Sequence, residues 1–454
     1  MKDESPPHQA NERLRKSLHI AFGLFAFGLK WLPWWVATGV AAVAVLGNWL
    51  VLHKIVGRAV ARHERGWDAG IVLYPLSVLA LILLFRNNLH IAGVAWGVLA
   101  FGDGFATIIG KRFGGPRLPW NSGKTWAGFL GFIAAGYLPV LVLSYHLSNE
   151  PTWLARWLIV LAAVAAGAIA ESLPLGVDDN ITVPAAAAVA VWILQSPFEP
   201  RFELSSATAA FLILNTILAV AGYLVRSVDL SGMIGGWVLG AILIVVWPTL
   251  YYVLIAFFVL GTLATKAGYR RKAEAGLAQE QGGRRGFSHA FANVGVAALC
   301  AVGLAFHDQV TAFWWAAAAA LATAAADTVA SEIGQLMGKR AFMPLTFRRV
   351  PRGTEGAISI EGTVAGLAAA VIVSIVALLA LNLTQRPFWE MMLPPVLMIT
   401  GCAMAGSYVE SIVGTWNRTR SLGISNGALN FFNTAVGATL AFVIAPLLKD
   451  RGMI

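Results

Sequence analysis

The chain has 454 residues, of which 58% are hydrophobic and 12% charged, with a mean hydropathy of +0.70. A soluble globular chain carries about 25% charged residues, so a water-soluble fold is excluded. The formal net charge of +10 bears on membrane orientation, and no nucleic-acid partner is expected.

The first 17 residues are polar and include Asp3 and Glu4. No small-residue cleavage pattern follows the first apolar run, so the N-terminus is expected to be retained rather than removed as a signal peptide. Apolar runs of about 20 residues, enough to cross a bilayer, then recur to the end, as from Trp34 to Leu52 and from Ala207 to Leu224. Counting them predicts an all-α, polytopic fold of about fifteen transmembrane helices. Cys300 and Cys402, the two cysteines, both lie within apolar runs, which excludes a disulfide framework and a cysteine metal site.

Basic clusters fall where alternate crossings return to one side: Arg13 to Lys16, Lys54 to Arg65, Lys111 to Lys124, Lys266 to Arg285, Lys339 to Arg352, and Arg418 with Arg420. The connections Ser148 to Pro151 and His307 to Gln309 contain no Lys or Arg. By the positive-inside rule the basic side and the N-terminus are cytoplasmic.

Short motifs recur in the same order in both halves. Asp103-Gly-Phe-Ala106-Thr107-Ile-Ile109-Gly110 matches Asp327-Thr-Val-Ala330-Ser331-Glu-Ile333-Gly334. Thr125-Trp-Ala-Gly128 matches Ser359-Ile-Glu-Gly362, Ala166-Gly167 with Glu171-Ser172 matches Ala405-Gly406 with Glu410-Ser411, and Asn180 corresponds to Asn426. Four matches in register imply duplication. The expected architecture is two parallel seven-helix repeats, residues 1–200 and 231–454, joined by a linker transmembrane helix within 201–230.

An ionisable side chain within a membrane helix is costly and marks function. Asp103, Thr107 and Gly110 share one helical face, as do Asp327, Ser331 and Gly334. With Glu171 and Glu410, these aspartates form oxygen-rich clusters suited to Mg²⁺, and the four carboxylates are the predicted catalytic and metal-binding residues. The basic positions nearby, with the Thr125 hydroxyl, are candidates to hold nucleotide phosphates: Arg15, Lys16, Lys111, Arg112 and Lys124 beside Thr125 in the first half, and Lys266, Arg270, Arg271, Arg284, Arg285, Arg348 and Arg349 in the second. Further polar candidates are His19, Thr107, Asp178, Asp179, Asn180, Asn293, Ser331, Glu332, Ser359, Glu361, Asn426 and Asn430. The Ser122-Gly-Lys124-Thr125 run lacks the earlier glycine of a Walker loop. No HExxH motif or nucleophile elbow is present.

Arg15-Lys16-x-x-His19, Gly102-Asp103-x-x-Ala106-x-x-x-Gly110, Lys124-Thr125-x-x-Gly128, and Glu171 followed by Asp178-Asp179-Asn180 resemble the phytol kinase and dolichol kinase group over roughly residues 10–200. Residues 225–445 resemble phytyl-phosphate kinase. That likeness rests on Ala264-Thr265-Lys266-x-Gly268-Tyr269-Arg270-Arg271-Lys272, Gln279-Glu280-x-Gly282-Gly283-Arg284-Arg285-Gly286, Asn293, Ala326-Asp327-Thr328, Phe347-Arg348-Arg349-Val350-Pro351 and Gly356-x-Ile358-Ser359. The resemblance implies consecutive enzymes on one chain: a CTP-dependent, Mg²⁺-requiring kinase for phytol or a related isoprenoid alcohol, then a kinase converting the monophosphate to the diphosphate used in tocopherol and related prenyl-lipid biosynthesis. The phytol kinase pattern often has Glu where this chain has Ala127, and Ile358 stands where the first half has Lys124. A lipid or anion transporter and a CDP-lipid-forming cytidylyltransferase are the alternative readings, and the sequence leaves the oligomeric state open.

Overall fold

The computed structural model describes residues 7–52, 69–118, 121–148, 153–173, 177–195, 202, 204–276, 284–306, 310–354, 356–382, 393–420 and 425–451. The basic cluster from Lys54 to Arg65, the segment Gln279 to Gly283 and most of the Ser148 to Pro151 and His307 to Gln309 connections lie outside these residues. The chain divides into two compact units, Met1–Pro197 and Phe198–Ile454.

The protein is an all-α, polytopic membrane protein, but the helix count differs from the expectation. Among the described residues eight helices are long and apolar enough to span a bilayer. Two lie in the first unit, Leu89–Phe113 and Trp126–Leu147. Six lie in the second: Ser206–Leu224, Phe287–Phe306, Val310–Met337, Ile360–Leu381, Leu393–Arg418 and Asn426–Lys449. This uneven division replaces about fifteen crossings in two parallel seven-helix repeats. The miscount has a simple cause. Trp34–Leu50, Gly70–Leu84, Asp179–Leu194, Leu230–Val246 and Leu250–Lys266 are apolar, but each falls within the 10–17-residue class. At 1.5 Å per residue such helices stop short of a hydrocarbon core of about 30 Å.

In the first unit, α1 (Pro7–Gly23) is followed by α2 (Trp34–Gly47), α3 (Ala69–Leu84) and α4 (Leu89–Gly97). A π-helical segment, Val98–Asp103, connects α4 to α5 (Gly104–Phe113). The π turn ends on the motif aspartate, a placement frequent at functional sites. β1 (Arg117–Leu118) and β2 (Asn121–Thr125) pair antiparallel and lead into α6 (Trp126–Leu147), α7 (Trp153–Ser172) and α8 (Asp179–Leu194).

The second unit holds α9 (Ser206–Leu224), α10 (Leu230–Val246), α11 (Leu250–Lys266), the short α12 (Tyr269–Glu274), α13 (Phe287–Phe306) and α14 (Val310–Met337). A three-stranded sheet follows, in the order β4 (Arg349–Val350), β3 (Ala341–Phe342), β5 (Ile358–Ser359). Then come α15 (Ile360–Asn382), α16 (Leu393–Arg420) and α17 (Asn426–Lys449). Helix α14 is the hub, packed by α11, α13, α15, α16 and α17. Its buried stretch Ala316–Ala320 presents methyl groups only, which lets neighbouring backbones approach closely, as small residues do in membrane bundles.

The recurring motifs survive as local geometry although the seven-helix repeats do not. Thr125 Oγ1 accepts from Gly128 N at 3.1 Å and caps α6, while Ser359 Oγ accepts from Gly362 N at 3.1 Å at the start of α15. Each following glycine lets its helix cross the aspartate-bearing helix. A Cβ on Gly128 would lie 3.3 Å from Ala106 O, and one on Gly362 would lie 2.5 Å from Ala330 O.

Gly362→Val therefore forces these backbones apart and should destabilise the protein by about 1–3 kcal/mol. Gly236→Ala, where an added Cβ meets nothing within 4 Å, should leave stability unchanged or slightly raised. Thermal unfolding in detergent checks both, and equal midpoints for the two variants would show that the crossing is not tight.

Candidate functional site

In the first unit four elements converge around Asp103, which is 3% exposed. Helix α1 supplies Lys16, whose Nζ donates to Asp103 Oδ2 at 2.6 Å, and His19, whose Nε2 lies 3.6 Å from the same oxygen. Lys124, at the end of the β hairpin, bonds Glu171 at the C-terminus of α7 and Asp179 Oδ2 at the start of α8, the latter at 3.1 Å. Asp103, Glu171 and Asp179 each offer an oxygen within 4.8 Å of the others.

The hairpin is held where Lys124 needs it. Asn121 Nδ2 donates to Ser172 O at 3.0 Å, tying β2 to the residue after Glu171. Asp178 accepts from Asn180 N at 2.9 Å and caps α8, so Asp179 is left in the first turn, where the helix dipole favours negative charge. Asn180 keeps a buried carboxamide oxygen without a hydrogen-bond partner.

Burial works against the Lys124 charge, but the carboxylates of Asp179 and Glu171 overcome it and hold the ammonium pKa above its ordinary value. Helix α1 is not among the membrane-spanning candidates. Burial there pushes His19 down to about 3 against the pull of Asp103, with Lys16 and Arg15 adding to the shift. His19 is therefore neutral near pH 7.

Other expected residues of this half sit outside the cluster. The Thr107 hydroxyl donates to Asp103 O at 3.3 Å, so it serves its own helix. Lys111 and Arg112 occupy the last turn of α5, where cations complement the helix dipole. Thr125 caps α6, and Arg15 is partly buried in α1 beside the cluster. His90 belongs to a separate buried network, with Nε2 2.8 Å from Ser144 Oγ and Nδ1 3.0 Å from Gln195 Nε2.

The second unit does not repeat the carboxylate trio. Among the described residues the one group of three carboxylates is that of the first unit. Asp327 has Asn433 and Ser407 beside it, and Glu410 is partly buried on α16. The buried carboxylate with a cation is Glu332, whose Oε2 accepts from Lys272 Nζ at 2.5 Å, both residues being 2% exposed. Lys272 also donates to Ala264 O at 3.2 Å and Thr265 O at 2.9 Å. Thr265 Oγ1 lies 3.1 Å from Glu332 Oε1 and accepts from Arg285 Nη2 at 2.9 Å.

Lys266, Arg270, Arg271, Arg284, Arg348 and Arg349 are exposed. Ser331 donates to Thr328 O at 3.0 Å, Glu361 Oε1 accepts from Lys339 N at 3.2 Å, and Asn293 Nδ2 donates to His289 O at 2.8 Å. Asn426 is exposed at the start of α17, with Asn430 one turn on.

Lys272 and Thr265 are absent from the site expected on sequence. Lys272 counts there as one cation in a basic run. The signal that finds it is Gly268, which follows the last residues of α11 and adopts φ +59°. A left-handed glycine after a helix reverses the chain, which turns Lys272 back onto the unpaired C-terminal carbonyls of α11.

Lys272→Met would leave Glu332 buried without its cation and should cost about 3–5 kcal/mol. Lys272→Met combined with Glu332→Leu should recover most of it. Thermal unfolding of the two variants tests this, and a double variant no more stable than the single one would contradict the pairing.

The family described as Integral membrane protein DUF92 matches residues 213–438. An uncharacterised membrane protein of Synechocystis sp. is 34% identical over 214 residues, which are 46% of this chain and 79% of that protein. Protein VTE6, chloroplastic, of Arabidopsis thaliana is 31% identical over 251 residues, 52% of this chain and 72% of the relative. Phytol kinase 1, chloroplastic, of the same plant is 30% identical over 199 residues, 39% of this chain and 65% of the kinase. No solved structure matches the chain significantly. With the matched segment and the coverage of the first two relatives taken together, the chain belongs to the integral membrane protein DUF92 family.

Proposed function

We propose that the protein is a bifunctional membrane phosphotransferase. The first 200 residues phosphorylate phytol or a related isoprenoid alcohol, residues 231–454 phosphorylate the resulting monophosphate, and a nucleoside triphosphate, CTP by resemblance, is the donor. The observation that carries this reading is the cluster of Asp103, Glu171 and Asp179 with Lys16, His19 and Lys124. It unites a metal-type donor set, two cations and a neutral imidazole. Similarity to a phytol kinase supports the substrate class.

The three carboxylate oxygens within 4.8 Å of one another suit a hard divalent cation, and the buried, unpartnered Asn180 oxygen adds a donor of the same kind. Asp103, Glu171 and Asp179 would hold Mg²⁺, which neutralises charge on a transferring phosphoryl group when bound. Lys124, whose side chain is 31% exposed, is the cation that reaches the donor phosphates from the open side. Lys16 stays with Asp103 and fixes its carboxylate. The acceptor hydroxyl oxygen attacks the γ-phosphorus as the bond to the nucleoside diphosphate breaks, and the hydroxyl proton passes to a phosphoryl oxygen, with the neutral His19 ring as a hydrogen-bonding partner for the acceptor. The apolar chain of the alcohol remains among the membrane helices, and the basic loops face the cytoplasm, where the nucleotide is available.

Membranes containing the protein, given the alcohol and CTP labelled at the γ-phosphate or in cytidine, should place only γ-label in lipid. Cytidine label in lipid would identify a cytidylyltransferase, and no label a carrier. Chelation of Mg²⁺ should abolish transfer, with recovery on re-addition. Asp103→Asn should lower alcohol phosphorylation by at least about a hundredfold, while Asp327→Asn spares that step. Equal loss in both variants would contradict two separate sites.

A further inference from the structure

A cavity of about 250 Å³ opens in the second unit; its lining includes Arg226, Ser227, Thr265, Lys266, Tyr269 and Arg285, and no carboxylate. Three cations and four hydroxyls around one small volume are an unusual set for a membrane protein unless an anion is to be held there, because like charges repel when left unneutralised.

The position of each group is fixed by backbone pairing. The stretch after α9 and the stretch before α13 run side by side: Arg285 N donates to Ser227 O at 3.0 Å, and Asp229 N donates to Arg285 O at 3.2 Å. Gly232 admits this approach, since a Cβ there would lie 2.1 Å from Arg285 O. Asp229 does not neutralise the cavity, as its carboxylate caps α10 through Gly232 N at 2.8 Å and Ser231 Oγ at 2.7 Å. Thr265 orients the Arg285 guanidinium through Nη2, which leaves other N–H groups of this five-donor fork for a ligand. Glu332 behind Thr265 is paired with Lys272.

Two observations point to a ligand rather than to packing. Ser227 is 8% exposed, lines the cavity, and its Oγ has no hydrogen-bond partner. Arg226 holds φ +59°, a region that favours glycine, so a long cationic side chain is kept at a position where the backbone would prefer none.

We propose that this cavity binds a phosphate ester, with Arg285 and Arg226 gripping the phosphoryl oxygens, Lys266 adding charge and Ser227 donating its hydroxyl. That the ester is the lipid monophosphate rests on the reading of the second unit given above; the anion site itself rests on the geometry. Arginine suits the task because its planar fork matches phosphate oxygens, and the site lies at the C-terminal end of α11, within reach of a headgroup whose chain stays in the membrane.

The test uses the full-length protein in detergent, with a radiolabelled long-chain alkyl monophosphate as the probe. Saturable binding is expected, weakened about tenfold or more by Arg285→Gln and by Arg226→Gly, and severalfold by Ser227→Ala, but unchanged by Arg451→Gln. Arg226→Gly should keep or raise the thermal midpoint without ligand, since glycine relieves the backbone. Loss of binding in that variant therefore cannot be put down to misfolding. Displacement by unlabelled alkyl phosphate and not by CTP identifies a lipid headgroup; displacement by CTP as well identifies the shared phosphate group as what the site reads. Wild-type binding in both arginine variants overturns the site. Arginine-sensitive binding without any phosphoryl transfer keeps the site and overturns the kinase reading of the second unit.

Discussion

The pairing of buried charge constrains the rest of this structure. Lys16, Asp103, Glu171, Lys272 and Glu332 are all nearly inaccessible in a chain dominated by apolar helices, where an isolated charge costs several kcal/mol. None of the five is isolated. Lys16 meets Asp103, Lys124 meets Glu171 and Asp179, and Lys272 meets Glu332. In each case the lysine comes from outside the long spans, from α1, the β hairpin or α12, and reaches back to a carboxylate on a longer helix. The polar connections are therefore parts of the buried site as well as links between helices.

That requirement explains why small irregular elements sit beside the motif helices. A lysine on a loop meets a fixed carboxylate only if the loop is ordered. The β hairpin, pinned by Asn121 to Ser172 O, provides this for Lys124, and the Gly268 reversal provides it for Lys272. Thr125 and Ser359 close the next helix start in both units, which fixes the distance between each motif aspartate and its connection. The same capping chemistry with different charges around it yields different local sites.

Part of this was legible in the sequence. The membrane class, the Asp103, Glu171 and Lys124 positions and the recurrence of Thr125/Gly128 as Ser359/Gly362 follow from hydropathy, intramembrane charge and motif spacing, because these are local properties. The helix count was not, since a 15-residue apolar run and a 20-residue one look alike until their ends are placed. The repeat places Asp327 by Asn433 and Ser407, while a buried ion pair forms at Glu332, five residues along the same helix. Lys272 and Ser227 depend on a chain reversal and on pairing between segments far apart in sequence, which no local pattern encodes.

The two local sites also differ in charge in a way that bears on the order of the proposed reactions. Around Asp103 three carboxylates converge, paired with Lys16 and Lys124 and with Arg15 alongside, and their three oxygens favour recruiting a divalent cation with its nucleotide. Around Thr265 one carboxylate, Glu332, faces Lys272 and Arg285, with Lys266 and Arg226 at the adjoining cavity, which leaves an excess of positive charge. A neutral alcohol needs no cation to approach a triphosphate, whereas a lipid monophosphate brings nearly two negative charges at pH 7 and is repelled by the donor phosphates. The first unit's carboxylate cluster thus suits the uncharged acceptor and the second unit's surplus of cations the charged one. An exchange of roles would set the phosphate ester against the three carboxylates of one unit and leave the arginines of the other without an anion to hold.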